Sequence, residues 1–134
     1  MGLKLTSEIR FEHYEGAEKI LVVLRRPTPE ELNRFLKDRF VTVRNQVRNN
    51  LPEARRALID KILVNVEGLT SENAAGAEIR IDRNLTLTEA DQVHFSAMLG
   101  FPVETWKDLI PASWKNSWAL RFEEARDEGD VAVP

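Results

Sequence analysis

The chain begins with two stretches whose hydrophobic and polar residues are arranged as in β-strands. In residues 8–15 the apolar side chains of Ile9 and Phe11 fall on one side of an extended backbone, and charged side chains fall on the other. Residues 19–25 are rich in β-branched residues, and a short connection containing Gly16 separates the two stretches. The pattern predicts an N-terminal β-hairpin that needs helices or another sheet to cover it.

A helical pattern follows the predicted hairpin. Thr28 is placed to cap a helix, Pro29 suits its first position, and Glu31 completes a capping box. The apolar residues that follow recur every three or four positions and would form one stripe: Leu32, Leu36, Phe40, Val43 and Val47. This spacing predicts a single helix that ends near Asn49 and Asn50.

Four more helices are predicted along the rest of the chain. They begin at Pro52, at Thr86 or Thr88, at Pro102 and at Pro111. Their expected last residues are about Val66, Leu99, Ile110 and Arg126. The run at residues 62–66 also suits a strand because it is rich in β-branched residues, although it continues a helical pattern.

These elements together predict an α+β fold that is mostly helical, with a two-stranded N-terminal β-hairpin followed by about five helices. We expect a single domain over residues 1–126. Residues 67–87 are expected to form an irregular excursion, in which residues 77–81 could be a short strand. Residues 127–134 are expected to form a flexible acidic tail.

Composition argues against most catalytic chemistries. The 134 residues include no cysteine and two histidines, His13 and His94, which lie in predicted elements of different type. This excludes a disulfide scaffold, a zinc ribbon and a thiol nucleophile. The glycine patterns of phosphate-binding loops are absent, as is the nucleophile-elbow pattern. We therefore expect a non-enzyme with no cofactor, no metal and no catalytic residue.

The chain has no segment that looks like a membrane span or a secretory signal. Its longest apolar run, Ile20 to Leu24, is far shorter than the roughly 20 residues that a spanning helix needs. We expect a cytoplasmic protein without a membrane partner.

The formal net charge of −3 conceals an uneven distribution. Residues 25–61 hold ten Lys or Arg and five Asp or Glu, whereas residues 62–134 hold six and thirteen. On the predicted helix that follows Thr28, four cations would share a face away from the apolar stripe: Arg34, Lys37, Arg44 and Arg48. That face could bind an anionic partner such as nucleic acid. The negative overall charge and the lack of interleaved aromatic residues favour a solvated face or protein complementarity instead.

The aromatic residues near the C-terminus form a second candidate surface. The set comprises Trp106, Trp114, Trp118 and Phe122. The last three are spaced by four residues and would share one helix face. The rings could pack in the core, or part of the set could contact a protein partner or a second copy of the chain, because tryptophan is enriched among binding anchors.

The order of these segments resembles the small tail assembly chaperones of tailed phages and prophages. The phrase VLRRPTPEELNRFL is similar to their strand followed by an Arg-Pro-Thr helix start. The phrase LVNVEGLTSENAAGAEI matches their central motif at these residues: Leu63, Val64, Glu67, Gly68, Leu69, Glu72 and Gly76. It departs from the motif at Asn65 and Val66, where the family carries Gly-Trp.

The resemblance implies a function in binding rather than catalysis. Chaperones of this class hold the hydrophobic tape-measure protein before the tail tube polymerises, in the cytoplasm of the bacterial host. The resemblance therefore implies a tape-measure-like protein client, with self-association as a further option. It carries over no catalytic residue.

Overall fold

The computed structural model describes the backbone of residues 8–132 and the side chains of residues 8–123. Within this part of the chain there are four α-helices, one short 3-10 helix and seven strands in three small sheets. The strands are β1 (Glu8–Glu15), β2 (Glu18–Arg25), β3 (Phe40–Val43), β4 (Gln46–Asn49), β5 (Leu63–Glu67), β6 (Thr70–Glu72) and β7 (Glu78–Arg80). The helices are α1 (Pro29–Asp38), α2 (Leu51–Ile62), α3 (Glu89–Leu99) and α4 (Ala112–Ala132), and the 3-10 helix is Trp106–Leu109.

The N-terminal hairpin is confirmed, but the prediction of a mostly helical fold with about five helices behind it is wrong. Three predicted helical regions differ. Residues 40–49 form a second hairpin, residues 63–67 form a strand, and the region after Pro102 contains only one short 3-10 helix.

The helix that begins at Thr28 starts as predicted and ends early. Thr28 Oγ1 accepts a hydrogen bond from the Glu31 backbone N–H at 3.1 Å, and the Thr28 backbone N–H donates to Glu31 Oε1 at 2.9 Å, so the expected capping box is confirmed. The helix ends at Asp38, whose carbonyl oxygen accepts a hydrogen bond from the Asn50 side-chain amide at 3.0 Å. The β-branched run Val41 to Val43 that follows favours extended backbone, so the chain turns into a hairpin.

Residues 63–67, predicted as the end of a helix, form the third strand of the N-terminal sheet. Helix α2 ends at Ile62, and Leu63–Glu67 pairs with β2 as an antiparallel third strand. Leu63 and Val66 are buried in this sheet. The β-branched character of the segment therefore outweighed the helical spacing that precedes it, because strand pairing and burial decide such short apolar runs.

The chain divides into two compact units. The first contains β1, β2 and residues 63–110. Its sheet has the order β1-β2-β5, and one face of β2 is fully packed through Val22 and Leu24. The partners of these residues on β1 are Phe11 and Ile9, so the predicted alternation of that strand is confirmed.

Two buried polar side chains organise the excursion in the first unit. Asn65 Oδ1 accepts a hydrogen bond from the Arg83 backbone N–H at 3.0 Å. Asp91 Oδ1 accepts one from the Ala74 backbone N–H at 3.2 Å. Between these points β6 and β7 form a short hairpin, and the expected strand within residues 77–81 is β7. These bonds satisfy backbone donors that a long loop would otherwise leave to solvent.

The second unit consists of residues 27–62 and the C-terminal helix. Its α2 and α4 pack against each other around a buried set that includes Phe35, Leu58, Ile59 and Trp118. The side chains of the predicted tail, residues 127–134, lie outside the described residues. That tail and the single domain of residues 1–126 stay predictions.

Candidate functional site

The hairpin formed by β3 and β4 is the feature that stands out in the second unit. Its strands pair in antiparallel register from Phe40 opposite Asn49 to Val43 opposite Gln46. The two connecting residues, Arg44 and Asn45, have φ angles of 52° and 64°. A two-residue turn of type I′ requires positive φ at both positions, so the loop matches the twist of the strands.

Every residue of both strands is exposed, including four large apolar residues. These are Phe40, Val41, Val43 and Val47. Phe40 is 54% exposed and Val47 is 73% exposed. Directly opposed residues of an antiparallel pair share a face. By the register, Phe40 and Val47 lie on one face of the ribbon, and Val41 and Val43 lie on the other.

A two-stranded ribbon with apolar side chains exposed on both faces has no core of its own. Isolated hairpins of this kind are marginally stable in water. Clustered exposed apolar residues are typical of surfaces that bind a partner. The hairpin β3–β4 is therefore the candidate binding site.

The base of this hairpin is fixed by polar contacts. The Asn50 backbone N–H donates to the Arg39 carbonyl oxygen at 2.8 Å, which closes the two ends of the hairpin. An Arg39 guanidinium nitrogen lies 3.9 Å from Glu123 Oε1, and Arg55 Nη2 lies 3.0 Å from Glu123 Oε2. The Glu123 side chain is mostly buried, so these arginines compensate a charge that burial alone would make costly.

A further ion pair joins α2 to α4, the helices that carry Arg55 and Glu123. Lys115 Nζ on α4 lies 2.6 Å from Asp60 Oδ1 on α2, and the lysine side chain is almost completely buried. Together with the two contacts of Glu123, this pair connects cations and acids within one unit. Part of the uneven charge distribution is therefore intramolecular complementarity, one of the interpretations that the sequence left open.

The predicted basic helix face does not exist as one surface of one helix. Arg34 and Lys37 lie on α1, whereas Arg44 is at the hairpin turn and Arg48 is on β4. Arg34 Nε also lies 3.6 Å from Asp38 Oδ2, one helical turn away. The reason is the early end of α1, which separates the four residues into two pairs.

The cations that remain at the hairpin have no acidic neighbour on it. Residues 39–50 contain three arginines and no aspartate or glutamate. Arg44 and Arg48 form no ion pair with any other residue in the described part of the chain. The hairpin thus combines exposed apolar area with uncompensated positive charge.

The aromatic residues singled out from the sequence are mostly core residues. Trp106 is buried in the first unit, and Trp118 and Phe122 are buried in the second. Trp114 is half-buried, and its ring centroid lies 6.4 Å from that of Trp118. Of the four, Trp114 has the most surface available to a partner, and the burial of the others agrees with the core interpretation.

A second set of exposed apolar residues, referred to as the α3 patch, lies along α3 and just beyond its C-terminal end in the first unit. Its members are Val93, Met98, Leu99 and Phe101. Val93 is 66% exposed and Phe101 is 48% exposed, so they match Val47 and Phe40 in type and exposure. Helix α3 ends at Gly100, as predicted, with a left-handed φ of 80°. This patch offers a matched control for experiments on the hairpin.

Two neighbouring clefts, of about 100 Å³ and 580 Å³, are lined by residues of α1 and α2. The walls of both mix Glu31 and Asp38 with Arg34 and Lys61. Among the described residues, no group of three or more potential metal-ligating side chains is gathered together. None of the described helices is both long and apolar enough to span a membrane.

One pair of titratable residues is coupled on the exposed surface of the first unit. The Tyr14 hydroxyl donates a hydrogen bond to the Glu12 carboxylate, which lowers the pKa of Glu12, and Lys19 lowers it further. The same bond raises the pKa of Tyr14. Both side chains are open to solvent.

Comparison with known proteins adds no relative: the chain matches no protein family, no curated protein and no solved structure. The features that bear on function are therefore the hairpin β3–β4 and the resemblance of the sequence phrases.

Proposed function

We propose that this chain is a non-catalytic protein-binding factor that holds an apolar polypeptide client through the hairpin β3–β4. By the resemblance of its sequence phrases, the client is a tape-measure-like protein, and the chain acts in tail assembly in the cytoplasm of a bacterial host. The observation that carries the proposal is the exposure of four large apolar side chains on a ribbon with no core of its own.

The energetics of such a surface suit a chaperone. Fully burying a valine or phenylalanine side chain contributes about 1.5–3 kcal/mol. The four apolar residues of the hairpin would therefore contribute at most about 6–12 kcal/mol, since each is already partly covered. Association itself costs about 4–15 kcal/mol. The two ranges overlap, so binding through the hairpin alone is weak and a client can be released.

The balance of charge and apolar area favours a protein over a nucleic acid. Only Arg44 and Arg48 are uncompensated at the hairpin. Two phosphate contacts would give a shallow salt dependence, with a slope of about 2 in log affinity against log salt. Binding of nucleic acid through the predicted set of Arg34, Lys37, Arg44 and Arg48 remains the alternative that the experiments below can detect.

Co-expression with a long helical tape-measure candidate tests the proposal. The hairpin variant is Phe40→Thr/Val47→Thr, which removes apolar area from exposed positions and places β-branched threonine, which suits strands, at both. The control variant is Val93→Thr/Phe101→Thr on the matched patch. We expect the client to be soluble with the wild type and the control, and to aggregate with the hairpin variant.

Two results would contradict the proposal. One is a client that is equally soluble with and without this chain. The other is a hairpin variant that keeps the client soluble as well as the wild type does. A circular dichroism melt of each variant checks that the exposed substitutions leave the fold intact.

A further inference from the structure

The charge of the hairpin β3–β4 points to the chemistry of its partner. We infer that the hairpin selects segments that are both apolar and acidic, an inference that rests on the proposed function. The ribbon supplies apolar side chains on both faces and arginines at its turn and on β4, with no acid between residues 39 and 50. A segment that alternates apolar and acidic residues would match both features.

The register places charge beside apolar area. Arg48 is opposed to Val41, so these two side chains share a face of the ribbon. Arg44 follows Val43 at the turn. A partner that covers Val41 and Val43 therefore passes close to both guanidinium groups, and an acidic residue at that point removes like-charge repulsion and adds charge-assisted hydrogen bonds.

The same charge argues against a second hairpin as the occupant. Two copies of this ribbon packed face to face would bring arginines together with no acid on either side. The nearest acid to the base of the ribbon, Glu123, already interacts with Arg39 and Arg55. A separate acidic segment meets the requirement without such a conflict.

The exposure of Arg44 and Arg48 sets how strongly the hairpin prefers an acidic segment. Both arginines are exposed, so solvent and salt screen their contacts. Two exposed pairs of ordinary strength together correspond to about a tenfold change in affinity. The preference is therefore measurable and modest, and it decreases as salt is added.

Fluorescence anisotropy with three labelled peptides tests the inference on the full chain. The peptides share alternating valine and phenylalanine positions and carry glutamate, serine or lysine at the positions between. We expect the glutamate peptide to bind about tenfold more tightly than the serine peptide and the lysine peptide to bind most weakly. Raising the salt concentration should bring the three affinities together.

A charge reversal supplies the decisive control. The variant Arg44→Asp/Arg48→Glu should prefer the lysine peptide, and aspartate tolerates the left-handed backbone at the turn. The matched control Arg80→Glu/Arg83→Glu makes the same change in net charge at exposed positions of the first unit. It should keep the wild-type order of peptides.

The outcomes separate this inference from the proposed function. Equal binding of all three peptides overturns the acidic preference and leaves apolar client binding in place. Failure of the wild type to bind any of them overturns both. Competition by a DNA duplex stronger than that by the glutamate peptide, or a dimer that Phe40→Thr/Val47→Thr dissociates, would assign the hairpin to a different partner and contradict the inference.

Discussion

The two hairpins β1–β2 and β3–β4 share antiparallel pairing and have opposite surroundings. The first is part of a three-stranded sheet and buries Val22 and Leu24 within its own unit. The second pairs with no third strand within residues 8–132, and all residues of its strands are exposed. The same local structure therefore stabilises the fold in one place and leaves apolar area for a partner in the other.

Truncation of one apolar side chain in each hairpin should separate the two roles most strongly. Leu24→Ala removes a fully buried side chain from β2 and should lower the free energy of unfolding by about 2–5 kcal/mol. Val47→Ala changes a largely exposed residue of β4 and should cost less than about 0.5 kcal/mol. Urea denaturation measures both, and equal losses would show that the second hairpin is part of the core.

Removing an ionic contact at the base of the hairpin β3–β4 should have an effect of intermediate size on the free energy of unfolding. Glu123→Gln removes the charge that holds Arg55 and faces Arg39, and we expect a loss of about 1–3 kcal/mol in the free energy of unfolding. The exposed Glu53 on α2 supplies the control Glu53→Gln, which should change stability by less than about 0.5 kcal/mol. Similar values for the two variants in urea titrations would contradict a structural role for the Glu123 contacts.

The smallest expected effect is a difference between the two hairpins in how stability depends on pH. Glu12 on β1 has a pKa below its ordinary value, chiefly because Tyr14 donates a hydrogen bond to it. A lowered pKa contributes stability above the ordinary value of 4.5, and this is lost as the pH falls through the pKa of the folded state. The hairpin β3–β4 carries only arginines as ionisable residues, so its charge is constant over this range.

Tyr14→Phe tests this coupling directly. Without the hydroxyl, the pKa of Glu12 should rise towards its ordinary value, while Lys19 still lowers it in part. A carboxyl NMR titration of wild type and variant measures the change. An unchanged Glu12 titration would show that the hydrogen bond from Tyr14 does not set this pKa.

The sequence predicted the first hairpin and not the second for a physical reason. In β1 apolar and charged residues alternate from Glu8 to Glu12, and no helical spacing competes with this pattern. In residues 40–49 the apolar residues Phe40, Val43 and Val47 continue the spacing of the helix that starts at Thr28. Two features favoured a hairpin instead, the Val-Thr-Val run and the Arg-Asn turn. The turn is a weaker signal than Asn-Gly because arginine is not a usual residue at positive φ.

Local chemistry was predicted better than tertiary context. The cap at Thr28 and the end of α3 at Gly100 depend on nearby backbone groups, and both are confirmed. The local pattern of residues 62–66 suits both a helix and a strand, and pairing with β2, about 40 residues earlier in the chain, decides for the strand β5. The exposure of the hairpin β3–β4 could not be predicted locally either. Its apolar residues look like core residues of a helix until the position at which α1 ends is known.

Amide hydrogen exchange with and without the glutamate peptide reports where a partner binds on the chain. We expect bound peptide to slow exchange in residues 40–49 and to leave exchange in β1–β2 and the α3 patch unchanged. Protection confined to residues 93–101, or to the surroundings of Trp114, would contradict the assignment of the binding site to the hairpin β3–β4.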